Sequence, residues 1–491
     1  MRSNVANPPL ACVLLVLFGV SMGPLVAQTT PAADKIPITT PSEQARTLYL
    51  DGRALAEKLR ATDARRYYEQ AVAADRDFAL GYLGLANTSG TNKEFVDATT
   101  RAAALATRVS EGERHMILAL AAGLNGEPSS VLSHYTELVR LFPNDERAHT
   151  LLGNVHFGRQ NYAAAIEHYS KATAINPSFS PPYNQLGYAY RLLEKYDEAE
   201  RAFTTYIQRI PDDPNPYDSY AEFLMKVGRF EESIAMYEKA LSIDPNFVAS
   251  YVGIGNDHLY LKHPERARAS FSRLAAVARN TGEKRQAHFW TAAAYLHEGA
   301  TDRAIDEIRA SYALAAGEHD GGSMAGDLNL IGDILREAGR LQEAAASYSG
   351  SVRAISSAQV PAPVKEAARR NLLFEQGRLA VAKKDLPTAR ARLAEYSSRV
   401  AMRSVPFEVQ QQHELAGLIA LAGKDAALAV QELNAANQQD PRIQYLTSLA
   451  LREAGDQAAA ATLAAKATKF NGLSFSYAYI VGKGAKRGLH P

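Results

Sequence analysis

The chain has 491 residues, 46% of them apolar and 22% charged, which excludes a disordered or collagen-like polymer. Its 54 Lys and Arg stand against 53 Asp and Glu, a formal net charge of +1, so there is no basic excess to draw nucleic acid or an anionic membrane. The one cysteine, Cys12, excludes a disulfide scaffold and a cysteine-based zinc ribbon.

The N-terminus differs from the rest. Arg2 precedes an apolar run from Leu10 to Ala27, and Leu25-Val26-Ala27 has the small-residue spacing of a signal-peptidase site. The segment 1–27 reads as a secretory signal cut after Ala27, which places the mature chain outside the cytoplasm, in a periplasm, without membrane insertion. Kept uncleaved, the same run would anchor the protein beside an envelope complex. Cys12 lies before the apolar stretch, where lipidation would need it after. Residues 28–44 are rich in Thr and Pro without periodicity and read as a flexible leader.

From there the sequence keeps time. Pro143, Pro177, Pro211 and Pro245 are 34 residues apart, and so are Gly153, Gly187, Ala221 and Gly255, and Tyr169, Phe203, Tyr237 and Phe271. Several residue classes sharing one period mean a repeated, stacked unit. In the unit 146–179, His149, Leu152, Gly153 and His156 share one face of a first helix; Tyr162, Ala165, Tyr169 and Ala172 share one face of a second. Asn176-Pro177 stops the second helix. The pattern extends outward over 45–284 and, with longer spacing, over 285–474. The extra residues, such as 317–322 and 356–363, are expected in loops between units. The tail 475–491 leaves the pattern, aromatic at first and basic at Lys483, Lys486 and Arg487. It is expected to cap the last apolar face.

These units resemble the tetratricopeptide repeat (TPR), and the export signal is similar to that of exported bacterial members. The resemblance implies an all-α, right-handed superhelical solenoid of about twelve helix–turn–helix pairs. Phe78–Leu120 is also similar to TPR regions attached to bacterial Ser/Thr kinases, yet no glycine-rich phosphate loop or Asp-Phe-Gly motif accompanies it.

The superhelix implies a concave face lined by first helices. Positions 5, 9 and 12 of each unit share that face. The candidates are Thr150, Asn154 and Phe157; Asn184, Tyr188 and Arg191; Asp218, Glu222 and Met225; Val252, Asn256 and Leu259; and Phe289 with Leu296. Amides there suit a peptide backbone, and rings suit apolar anchors. Carboxylate-tail clamps of the family need Lys at position 5, where Thr150 and Val252 stand. His149 and His156 occupy packing positions and read as interior residues, not metal ligands. No catalytic motif and no cofactor signature appears. The reading is a non-enzymatic scaffold for a protein or peptide partner, with the oligomeric state left open.

Overall fold

Residues 35–401 and 405–481 are described in this computed structural model. Proline or an Asp/Asn cap opens most first helices, and twelve helix pairs follow one another. They are α1 (Glu43–Ala56) with α2 (Ala61–Ala74), α3 (Ala79–Asn87) with α4 (Asn92–Ala104), α5 (Glu111–Leu124) with α6 (Pro128–Leu141), and α7 (Glu146–Gly158) with α8 (Tyr162–Ile175). Next come α9 (Pro181–Leu192) with α10 (Tyr196–Arg209), α11 (Pro214–Lys226) with α12 (Phe230–Ile243), α13 (Val248–Tyr260) with α14 (Pro264–Val277), and α15 (Thr281–His297) with α16 (Thr301–Gly317). The last are α17 (Gly321–Glu337) with α18 (Leu341–Ser357), α19 (Ala362–Ala382) with α20 (Leu386–Val400), α21 (Pro406–Ala422) with α22 (Ala426–Ala435), and α23 (Pro441–Glu453) with α24 (Gln457–Thr468). A single turn, α25 (Ala478–Val481), ends the described chain. The fold is an all-α solenoid.

Several pairs are held by a small residue facing a large one. A Cβ on Gly153, Gly187, Gly255 or Gly332 would come within 2.5, 2.6, 2.1 and 2.4 Å of the rings of Tyr169, Phe203, Phe271 and Tyr348. Those four rings are buried. The glycine lets the helices close until the ring fills the gap between them. Between the helices, Gly126, Gln160, Glu194, Gly228 and Lys262, at the same register, turn the chain with φ between +59° and +82°.

The longer period after residue 280 is not taken up by loops. α15 to α18 each have 17 residues, against 13 or 14 in α7, α8 and α10 to α14, and α19 has 21. The stretches 317–322 and 356–363 nonetheless fall between units as expected: 318–320 turn the chain from α16 to α17 and 358–361 connect α18 to α19, while the helices on either side are longer.

The expected signal 1–27, Cys12, residues 28–34 and the basic end 482–491 lie outside the described residues. Residues 35–42, expected to belong to a flexible leader, are tied down instead. Ile36 N–H donates to Asp145 at 2.9 Å, Thr39 N–H to Glu113 at 2.7 Å, and the Thr40 hydroxyl to Asp75 at 2.6 Å, while Lys35 pairs with Glu146. Acidic helix-start and loop carboxylates thus serve a segment that composition alone reads as unstructured.

The solenoid closes on itself after seven pairs. The Thr62 hydroxyl donates to Glu283 at 2.6 Å, Arg279 pairs with Asp63 at 2.9 Å, and Asn92 N–H donates to Asp320 at 2.8 Å. Further along, Gln160 reaches Asn437 at 3.3 Å and Lys466 pairs with Glu194 at 2.5 Å. Successive superhelical turns touch where glycine removes the side chain: a Cβ on Gly282 would stand 2.5 Å from the carbonyl oxygen of Gly90.

Candidate functional site

First helices of successive pairs pack against one another, α1 with α3, α7 with α9, α11 with α13 and α19 with α21, whereas second helices make no comparable contact. First helices therefore line the inner wall of the coil. That wall is not uniformly open. Position 5 is buried in the fourth to seventh pairs, at Thr150, Asn184, Asp218 and Val252, and half-buried at Phe289 in the eighth. A side chain there wedges between its own helix and the next first helix. Thr150 donates to the Glu146 carbonyl at 2.7 Å.

Position 9 is exposed at Asn154 and half-buried at Tyr188 and Glu222, position 12 is half-buried at Phe157 and Arg191, and the wall closes at Met225, Asn256 and Leu259. Asn154 is exposed and accepts from the Tyr169 hydroxyl at 2.8 Å; Phe157 meets Tyr162 edge-on at 5.4 Å. The Arg191 guanidinium lies 4.7 Å from the Tyr188 ring centroid and pairs with Glu222 at 3.2 Å. Met225, Asn256 and Leu259 are buried, and Asn256 donates to the Val252 carbonyl at 2.9 Å. As free contact residues, Thr150, Asn184, Asp218, Met225 and Asn256 are corrected here: their side chains are inside.

Burial carries electrostatic consequences. Burial pushes Asp218 up to about 8, Glu222 adds repulsion, and a 2.7 Å bond from the Ser250 hydroxyl partly offsets both. Burial likewise raises Asp257 to about 8. Burial is also the main influence that lowers Lys226, to about 8.

The cover over the sixth and seventh pairs is the chain's own end. Lys226 donates to the Phe470 carbonyl at 2.8 Å, with its ammonium 4.8 Å from the Phe470 ring centroid. The Tyr260 hydroxyl donates to the Gly472 carbonyl at 2.6 Å and accepts from the Gly472 N–H at 2.8 Å. Phe475 meets Phe289 at 4.7 Å, and Tyr477 meets Tyr260 at 4.9 Å and His297 at 5.8 Å. Ser476 donates to Asp440 at 2.7 Å. The tail does cover Ala467 of α24 and Tyr445 of α23, as a cap would. It continues past them along the inner wall.

Beyond Leu296 the wall carries an ion ladder. Arg378 pairs with Asp333 and Glu375, both at 3.1 Å, and with Glu414 at 3.5 Å; Arg442 links Glu414 at 3.0 Å to Glu337 at 3.3 Å; Arg336 pairs with Asp333 at 3.2 Å. Asp333, Arg336, Arg378 and Glu414 fall at positions 5, 9 and 12 of units starting at 325, 370 and 410. The register used for Thr150 to Leu296 would have found them.

The histidines are engaged in packing. His149 donates Nε2–H to the Pro143 carbonyl at 3.1 Å, where Tyr183, Tyr217 and Tyr251 donate their hydroxyls to Pro177, Pro211 and Pro245. Its Nδ1 meets that of His168 at 3.1 Å. Among the described residues, no group of three or more His, Cys, Asp or Glu is placed to hold a metal ion, and no helix is long and apolar enough to cross a membrane.

Comparison with known proteins matches this architecture. Family models described as TPR repeat and tetratricopeptide repeat match residues 153–194, 180–213, 215–247 and 252–319. Anaphase-promoting complex subunit 6 of Arabidopsis thaliana is 24% identical over 198 residues, 39% of this chain and 30% of that protein. DnaJ homolog subfamily C member 7 of Mus musculus is 28% identical over 104 residues, 21% of each. The matches thus span less than a third of these relatives' length. The solved APC/C hetero-tetramer Cut9–Hcn1 aligns with a TM-score of 0.41 at 14% identity, covering 87% of this chain and 78% of that one. Twelve successive helix pairs, four of them spaced by 34 residues, and repeat models matched in series make this chain a tetratricopeptide-repeat protein.

Proposed function

We propose that this protein is an exported, non-enzymatic scaffold that captures a segment of a partner protein along its inner wall. One observation carries the reading: Lys226 and Tyr260 already hold a stretch of chain outside the helix pairs by its backbone, at Phe470 and Gly472. Backbone groups are common to every chain, so contacts of this kind accept a peptide without chemistry at its side chains. The accessible stretch before it offers a carboxamide at Asn154, an aromatic face at Phe157 and a charged pair at Arg191 and Glu222. These groups suit hydrogen-bonded and apolar capture. Export rests on the run Leu10–Ala27 and the small residues before the cut.

The test is a photo-crosslinker at Asn154, compared with one at Lys171 on the second helix α8, in native cell envelopes. A discrete crosslinked protein at Asn154 alone supports inner-wall capture. Equal labelling from both positions overturns it.

A further inference from the structure

Residues 470–480 sit in the groove as a bound peptide sits in a receptor. Two features are generic: the Lys226 and Tyr260 bonds go to backbone. Three are specific: Phe475, Tyr477 and Tyr479 place rings at alternate positions, and Phe475 and Tyr477 meet Phe289, Tyr260 and His297. Residues 475–481 form a turn running into α25, in which the carbonyls of Phe475, Ser476 and Tyr477 accept from the N–H groups of Ala478, Tyr479 and Ile480, so Phe475 and Tyr479 meet each other at 5.9 Å on one side while Tyr477 turns to Tyr260 and His297.

The fit is incomplete. The Tyr479 hydroxyl is buried without a hydrogen-bond partner. The half-buried Lys226 ammonium is answered by a carbonyl and a ring face, and the Glu194 carboxylate acts on it only through space. A segment serving only as a cap needs neither a buried hydroxyl nor a half-buried ammonium, since apolar side chains would close the last pair at less desolvation cost. A ligand that can leave tolerates such imperfections, because they weaken its hold.

Resting on the capture reading above, we propose that residues 470–481 are a displaceable resident ligand, and that the groove receives in their place a partner segment that bends into a short helical turn and carries aromatic side chains spaced as Phe475, Tyr477 and Tyr479 are. Tethering gives the tail a high effective concentration, on the order of millimolar. A partner must therefore match its chemistry and exceed its affinity.

The test uses the full chain and a fluorescein-labelled synthetic peptide of residues 469–481, read by fluorescence anisotropy. With the resident tail weakened by Phe475→Ala and Tyr477→Ala, the peptide is expected to bind saturably and at least about tenfold more tightly than to the unaltered chain. Adding Phe289→Ala should remove that binding, and a peptide with Ala at the three ring positions should not bind. Helicity and Tm, measured in parallel, show whether the weakened chain still folds. No saturable binding to a folded, weakened chain overturns the proposal and leaves the tail a fixed cap. If that chain does not fold, hydrogen exchange on the unaltered chain decides. Faster exchange of amides 470–480 with excess peptide supports displacement, and unchanged exchange overturns it. The two readings fail separately. A crosslinked partner at Asn154 with no peptide binding sinks only this proposal. Peptide binding with equal labelling at Asn154 and Lys171 sinks only capture along the earlier wall.

Discussion

The hydroxyl of Tyr260 holds both backbone polar groups of Gly472, a residue 212 positions away, donating to its carbonyl at 2.6 Å and accepting from its N–H at 2.8 Å. One oxygen thus satisfies a donor and an acceptor on a half-buried residue, and it ties the seventh pair to the end of the chain. Replacing Tyr260 by Phe keeps the ring that stacks on Phe230 and meets Tyr477 and removes only the oxygen. The loss should be about 1–3 kcal/mol for each group left without a partner. Hydrogen exchange at Gly472 and its neighbours should accelerate, while amides in α7 to α10 stay protected. Unchanged exchange at Gly472 would show that the hydroxyl does not hold the tail.

Gly187 is the plainest packing test. A Cβ there would fall 2.6 Å from the Phe203 ring, which is buried and has no room to retreat. Gly187→Ala should destabilise by about 1–3 kcal/mol through overpacking, although alanine is the better helix former by about 1 kcal/mol. The two effects oppose, and the sign of the Tm change decides between them: a fall means that close approach dominates. Gly158→Ala, on a helix with open space around the added methyl, serves as the control and should not fall.

The superhelical turns should separate when their contact is disturbed. Arg279→Ala removes the 2.9 Å bridge to Asp63, and Gly282→Ala places a methyl 2.5 Å from the Gly90 carbonyl oxygen. Together they should raise the radius of gyration seen by small-angle X-ray scattering and leave helicity unchanged. A constant radius would mean that the remaining ties at Thr62 and Asn92 suffice to hold the turns.

The 34-residue period made the pairs legible, because a glycine at Gly153 and a ring at Tyr169 must recur wherever two helices meet in this way. The same arithmetic chose the inner face but not its depth. Helical periodicity places Asp218 and Met225 on one side of α11; it does not say how near α9 and α13 stand, and those neighbours bury them. The ladder at Asp333 and Arg378 was within reach of the register and was lost where the spacing lengthened. Contacts between turns, such as Thr62 with Glu283, depend on superhelical pitch, which sums small rotations over seven pairs and leaves no local trace. The path of Phe470 to Ile480 is hidden for the same reason: composition shows an aromatic segment, and only the closed coil gives it a wall.

Arg378 is the centre of the buried ladder, between Asp333, Glu375 and Glu414. Burial opposes its charge, but the three carboxylates outweigh burial and hold it firmly protonated. Arg378→Ala would leave those carboxylates facing one another, at a cost of about 3–5 kcal/mol. Glu375→Gln in the same chain should recover part of the loss by removing one charge. Failure of the second change to restore any Tm would mean that the lost contact of the Arg378 guanidinium with the Phe374 ring, not the three carboxylates, sets the cost.

The two buried carboxylates on the inner helices predict how stability varies with pH. Asp218 and Asp257 are raised from 3.8 to about 8, in both cases chiefly by burial. Each binds a proton more readily in the folded chain than in the unfolded one. Their contribution is therefore complete below about pH 4 and is lost as pH rises through 8. The buried histidines act in the opposite sense. Burial lowers His168 and His297 from 6.5 to about 4, so stability rises with pH between those values. The two trends oppose below pH 6.5, and above it the carboxylates act without that opposition. The urea midpoint should thus fall between pH 6.5 and pH 8. Asp218→Asn keeps an oxygen that accepts from Ser250 and cannot ionise. It should match the unaltered chain near pH 6 and exceed it at pH 8, with a shallower decline. Parallel declines in the two chains would show that Asp218 is not the group being forced to ionise, and would leave Asp257, without a neighbouring cation to stabilise its charge, as the source.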